Sequence, residues 1–278
     1  MHGIFLLYLF RKNAIFVRQN ELLPIKMNYS RRTFFKHAAY STAAVTAIPS
    51  IVAATVPPKK DKNKCPFLPK GVVLFQGDSI TDAGREKVKE LPNSGGSFGN
   101  GYAFIAAAGI LEKYSDLDLR IYNRGISGNK VYQLAERWQK DCFDLKPDLI
   151  SILIGINDYW HMRNGKYDGT LEVYEEDYRK LLSITRDILP SVKLVICQPF
   201  ALPGTTAVDD TWIEPVRGYQ DAAFRLSREF GAVWVPFQKV FDEAIKRMPA
   251  TYWAADGVHP TMAGAHLMAA AWLKAVAG

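Results

Sequence analysis

The stretch Val72-Val73-Leu74-Phe75-Gln76-Gly77-Asp78-Ser79-Ile80-Thr81 is the one from which the rest of the chain can be read. Residues 72–76 form a short run of β-branched, aromatic and aliphatic side chains without polar alternation, the composition of a strand covered on both faces. Gly77 permits a tight turn, and Ser79 follows where a strand hands over to a helix, a place where nucleophilic hydroxyls stand exposed. An ordinary helix N-cap has the same composition. The motif therefore takes its weight from partners elsewhere.

Four more apolar runs follow at 119–123, 149–154, 194–198 and 232–235, alternating with longer segments of helical period. In the clearest of these, Leu171, Tyr174, Tyr178, Leu181, Leu182, Thr185 and Ile188 recur at steps of three and four before Pro190 stops the pattern. Further helices are expected at 102–114, 130–140, 213–230 and 261–277. The alternation predicts an α/β fold, a three-layer α/β/α sandwich around a five-stranded parallel sheet. No internal repeat and no second domain is visible over residues 71–278. Sheets of this type gather their chemistry in the loops beyond the carboxyl ends of the strands.

The formal charge of +7 is unevenly placed. Residues 1–54 hold seven Lys/Arg against one acid, Glu21, leaving 28 basic and 27 acidic residues in the remainder. A nearly neutral working domain argues against a nucleic-acid partner. The basic segment has the form of an export leader: Ser30-Arg31-Arg32-Thr33-Phe34-Phe35-Lys36 is a twin-arginine stretch, followed by a mildly apolar run over 38–54 ending in the small-residue pattern of Val52 and Ala54. That run is shorter than the roughly 20 apolar residues of a membrane span, so no stable span is expected. Such a leader predicts export to the periplasm or out of the cell, and Met27 would be the tidier start. Residues 55–70, with Pro57-Pro58-Lys59-Lys60, suit a linker. Cys65, Cys142 and Cys197 are odd in number and match no metal pattern, which fits inert thiols.

A serine nucleophile needs a base that titrates near neutrality, and five histidines are available. His2 and His37 belong to the leader, His266 to the last helix, and His161 follows a loop rich in turn residues. His259 lies in Asp256-Gly257-Val258-His259-Pro260, with a carboxylate three residues earlier in an expected loop. That spacing lets Asp256 take the proton of one ring nitrogen while the other faces the serine. After the third strand comes Gly155-Ile156-Asn157-Asp158, where the Asn157 carboxamide can donate to a developing oxyanion. After the second comes Asn123-Arg124-Gly125-Ile126-Ser127-Gly128-Asn129, where Gly128 lets a backbone N–H approach. Gly95-Gly96-Ser97-Phe98-Gly99 also fits a nucleophile pattern, but polar, proline-containing residues precede it instead of a strand, so Ser97 is expected in a surface loop.

Together, Gly-Asp-Ser after strand one, Gly after strand two, Gly-x-Asn-Asp after strand three and Asp-x-x-His before the last helix resemble the SGNH, or GDSL, hydrolase family over nearly all of residues 71–276. The resemblance implies a flavodoxin-like fold and a serine carboxylic-ester hydrolase working through an acyl-enzyme without a cofactor. By that likeness Ser79, His259 and Asp256 correspond to the catalytic triad. Ser79, Gly128 and Asn157 correspond to the oxyanion donors, and Asp78 and Asp158 to supports of their loops. The stretches 77–82, 96–99, 123–129 and 151–160 are similar to bacterial acetylxylan and acetyl-xylo-oligosaccharide esterases, which implies a small acylated carbohydrate as substrate and enzymes that are often oligomeric. Tyr159, Trp160 and Trp253 are the rings expected to flank the sugar. Two other readings share the residues: a lipid or aryl esterase on the same fold, and a glycan-binding protein without catalysis. No metal site is expected, since His-x-His, His-Glu-x-x-His and paired-Cys spacings are absent from the sequence.

Overall fold

The computed structural model describes residues 65–278; the leader, its twin-arginine stretch and most of the 55–70 linker lie outside the described residues. The last residues of that linker are part of the fold. Phe67 is buried with its ring 5.1 Å from that of Tyr114, and Lys193 Nζ donates to the Pro66 carbonyl at 2.7 Å. The folded unit thus begins upstream of position 71.

In chain order the elements are β1 (Val72–Gly77), α1 (Ser79–Asp82), α2 (Tyr102–Lys113), β2 (Arg120–Asn123), α3 (Val131–Asp141), β3 (Leu149–Leu153), α4 (Ile156–Arg163) and α5 (Leu171–Ile188). They continue with β4 (Lys193–Cys197), α6 (Ile213–Glu229), β5 (Val233–Val235), α7 (Phe237–Ala244), α8 (Ala250–Trp253) and α9 (Met262–Ala277). All five strands are parallel, in the order β2-β1-β3-β4-β5. The chain winds outward from β1 to β2 and then crosses back to β3, so the point of reversal lies between β1 and β3. Their register pairs Gly77 with Leu153, so β1 and β3 end level, and Phe75 with Asn123, so β2 ends two residues short of them.

α2, α7 and α9 pack together on one face, and α3, α5 and α6 on the other. Every residue of β1 and β3 is buried, as expected of central strands covered twice. Two buried indoles fix the layers through polar contacts. Trp272 Nε1 on α9 donates to Ser151 Oγ on β3 at 2.8 Å, and Trp138 Nε1 on α3 donates to Thr185 Oγ1 on α5 at 2.9 Å. Leaving either indole N–H unbonded in the core would cost about 1–3 kcal/mol.

The five strands and five long helices fall where the apolar pattern puts them. Four short helices, α1, α4, α7 and α8, are additions, each of eight residues or fewer. Two turns of helix show too few repeats for the pattern to register.

Candidate active site

Gly77 decides how β1 turns. A Cβ there would stand 2.3 Å from the Leu153 carbonyl oxygen on β3 and 2.5 Å from Thr81 Oγ1, so no larger residue fits. Asp78 caps α1 by accepting the Ile80 N–H at 3.0 Å. Ser79 opens that helix, and its N–H has no acceptor within the helix. Ser79 Oγ lies 2.7 Å from His259 Nε2, across 180 positions of sequence, and His259 Nδ1 lies 2.6 Å from Asp256 Oδ2.

The loop that carries the imidazole is braced locally. Asp256 Oδ1 accepts from the backbone N–H groups of Val258 at 2.9 Å and His259 at 2.7 Å. An isolated bridge joins Ala254 to Pro260, and the Gly257 carbonyl accepts from Leu202 N–H at 2.9 Å. Gly257 holds a φ of +91°, and a Cβ there would stand 2.6 Å from the Leu202 carbonyl oxygen. Glycine alone satisfies both demands.

The carboxylates around this line of groups differ in state. Partial burial pushes Asp256 up, but the hydrogen bonds from the His259 ring and from the two backbone N–H groups outweigh it and hold its pKa at about 2. The bond to Asp256 is also the main reason that the His259 pKa rises above the ordinary imidazole value, against partial burial that lowers it. Asp256 is therefore ionised and receives the Nδ1 proton, which turns a basic Nε2 toward Ser79. Burial drives Asp78 and Asp158 the other way, each to about 7. Each spends one oxygen on a backbone N–H, Asp78 on Ile80 and Asp158 on Val131 at 3.2 Å. Their second oxygens have no hydrogen-bond partner among the described residues.

Asn157 sits in the first turn of α4, not at a bare strand end as its turn-like neighbours suggested. Its Nδ2 donates to the Asn129 carbonyl at 3.3 Å, which uses one amide hydrogen and leaves the other. Gly128, at φ +81°, is held from both sides. Asp82 Oδ2 accepts from Ser127 N and Oγ at 2.8 and 2.7 Å, while Arg137 Nε donates to Asn129 Oδ1 at 2.8 Å. Arg137 also donates to the Arg124 carbonyl at 2.8 Å and to Asp141 at 2.9 Å. The sequence reading did not single out Asp82 or Arg137. No local motif marks them: Ser127 lies 45 positions from Asp82, and Arg137 reaches back from α3 to Asn129 and Arg124, 8 and 13 positions earlier in the preceding loop.

Two of the three expected sugar-facing rings are corrected by their packing. Tyr159 is 2% exposed, wedged edge-on against Trp212 at 5.1 Å and beside Tyr219, with Arg163 donating to its hydroxyl. Trp253 is 7% exposed and spends its indole N–H on the Met248 carbonyl, with Arg247 over its ring. Both are core residues. Trp160 is half-buried, packs on Trp212 at 5.4 Å and places its ring 6.3 Å from that of His259. Ser97, expected on the surface, is buried, and its Oγ accepts from Leu91 N–H at 3.0 Å, stapling its loop.

The arrangement can withdraw a proton from the Ser79 hydroxyl, and Gly128 and Asn157 follow the ends of β2 and β3, the strands that flank β1. Among the described residues no group of three or more His, Cys, Asp or Glu is placed to hold a metal ion, and no helix is long and apolar enough to cross a membrane. Cys142 and Cys197 are buried, and burial raises both thiols.

Residues 75–267 match the model of the GDSL-like lipase/acylhydrolase family. An acetylxylan esterase of Geobacillus stearothermophilus is 34% identical over 206 residues, 73% of this chain and 93% of that protein. Among solved structures, a protein described as a GDSL-like lipase from Parabacteroides merdae is 48% identical, with a TM-score of 0.75 over 76% of this chain and 97% of its own. The acetylxylan esterase Axe2 of G. stearothermophilus is 32% identical, with a TM-score of 0.69 over 76% and 96%. Two variants of Axe2, one altered at a serine and one at a histidine, are described as catalytic mutants.

Proposed function

The chain belongs to the GDSL-like lipase/acylhydrolase family, and from that membership we propose that it is an exported serine esterase removing acetyl groups from carbohydrates of the xylo-oligosaccharide type. The observation that carries the reading is the unbroken series from Ser79 through His259 to Asp256, with contacts of 2.7 and 2.6 Å.

In this reading Ser79 Oγ attacks the ester carbonyl while His259 Nε2 takes its proton. The backbone N–H groups of Ser79 and Gly128 and the free amide hydrogen of Asn157 receive the charge that forms on the carbonyl oxygen. His259 then returns the proton to the departing sugar oxygen. Water attacks the acyl-enzyme with the same base, releasing acetate and restoring Ser79. Asp256, ionised throughout, steadies the imidazolium. Asp78 and Asp158 support the loops by their backbone hydrogen bonds.

The acetyl preference rests on the similarity to an acetylxylan esterase and on Trp160, whose half-buried ring 6.3 Å from that of His259 can offer an apolar wall to a sugar. Export rests on the Arg31-Arg32 leader. The test is a panel of acetylated xylo-oligosaccharides and p-nitrophenyl esters of rising chain length, run on the wild type and on Ser79→Ala. Acetyl substrates should turn over fastest, and Ser79→Ala should lose at least ~10³-fold in rate. Undiminished turnover by the alanine variant would refute the nucleophile, and a preference for octanoyl esters would refute the substrate.

A further inference from the structure

α4 carries more of the cleft than Asn157. One turn further on, His161 lies on the same helical face, since residues four apart stack one above the other. It also stands beside Gly128: a Cβ on that glycine would be 3.9 Å from His161 Cε1, the ring carbon bonded to both nitrogens. At the ring nitrogen next to that carbon, Lys130 Nζ lies 3.2 Å from His161 Nδ1. Lys130 is buried, with its ammonium 5.4 Å from the Tyr132 ring and 5.3 Å from the Tyr167 ring, and those two rings stack at 5.6 Å.

An ammonium has hydrogens to give and no lone pair to accept with. Lys130 therefore requires His161 Nδ1 to be the acceptor, and the single ring proton must reside on Nε2. Partial burial, Lys130 and Lys166 all lower the His161 pKa, which keeps the ring neutral. Among the described residues no acceptor is bonded to that Nε2 hydrogen. Tyr132 and Tyr167, the two rings beside Lys130, also line an open depression of about 750 Å³.

We propose that His161 is a specificity-determining residue, an uncharged imidazole locked by Lys130 as the Nε2–H tautomer so that it donates a hydrogen bond to the sugar of the ester. The inference rests on the esterase reading above. An acetyl group has no oxygen besides its carbonyl, so a donor displaced from the oxyanion amides finds its acceptors on the alcohol half of the substrate. The stacked tyrosines beyond it offer aromatic surface to the next sugar along the chain.

The test compares acetylated xylobiose with p-nitrophenyl acetate, which has the same acyl group and no sugar. His161→Phe should raise KM for acetylated xylobiose about tenfold, the worth of one hydrogen bond, and leave kcat/KM for p-nitrophenyl acetate within about twofold. His161→Gln, which keeps a side-chain N–H, should recover most of the loss. Nitrogen NMR of the wild type should show a protonated Nε2 and a bare Nδ1 at His161, with the preference relaxed in Lys130→Met. Equal losses on both esters, no loss on either, or a proton found on Nδ1 would each overturn the proposal. A wild type that cleaves neither ester would sink the esterase reading and the sugar contact with it, and the NMR result would still report separately on the lock.

Discussion

The turn that carries Ser79 and the loop that carries His259 each hold an aspartate acting on one imidazole, and the two are in opposite states. Asp256 is partly open to solvent and accepts three hydrogen bonds, two from backbone N–H groups and one from the ring, which keep its pKa at about 2. Asp78 is fully buried, accepts one from Ile80, and burial pushes it up to about 7. Identical side chains are thus divided by depth of burial and by the number of donors that reach them. The exposed loop holds a fixed charge where the imidazolium must be stabilised. The buried turn holds a group close to neutral where geometry is what matters.

The sharpest way to break this contrast is to remove the charge from each. Asp256→Asn should lower kcat by about 10⁴, because the amide presents the wrong partner to Nδ1 and misplaces the ring proton. Asp78→Asn should stay within about tenfold, since asparagine caps a helix as well as aspartate does. Steady-state kinetics on an acetyl ester decides it, and equal collapse of both variants would remove the distinction. Next in size is Asn157→Ala, expected to cost about 10²–10³ in kcat with KM little changed, the signature of a donor used in the transition state. A smaller effect lies in pH. The free base is the neutral imidazole, so kcat/KM should climb with pH through the His259 pKa, on a limb above the ordinary imidazole value. In the residual activity of Asp256→Asn that limb should move to lower pH, because the bond that raises the pKa has gone.

Asp158 gives the smallest signal. Its pKa rises on folding to about 7, so the folded state binds the extra proton and stability falls as pH climbs from about 4 toward 7. Asp158→Asn keeps an oxygen for the Val131 N–H and should flatten this part of the Tm-against-pH curve. An unchanged slope would show that burial does not set its state.

How much of this could be read from the chain depends on which contacts are local. The strands and long helices were legible because apolar periodicity repeats often enough to be seen, and Ser79, Asp256 and His259 because each stands in a short polar motif beside a strand end or turn. The α4 segment was not legible as a helix, and that omission had consequences. Successive helical residues are rotated by about 100°, so Tyr159 turns into the core while Trp160 faces His259, and His161 comes round beneath Asn157. Read as a loop, the three are equivalent. Asp82 and Lys130 escaped for a related reason, since each works through a partner far away in sequence, and Arg137 because its reach from α3 back into the β2 loop shows only once the strand ends are assembled.

Every catalytic step above depends on Ser79 being activated by His259. The direct measurement is labelling with a fluorophosphonate ester, followed by mass spectrometry of the digested protein, on the wild type and on His259→Ala. The wild type should carry one adduct, on the peptide containing Ser79, and the histidine variant should react at least ~10³-fold more slowly. An adduct on another serine, or equal labelling rates in the two proteins, would contradict it.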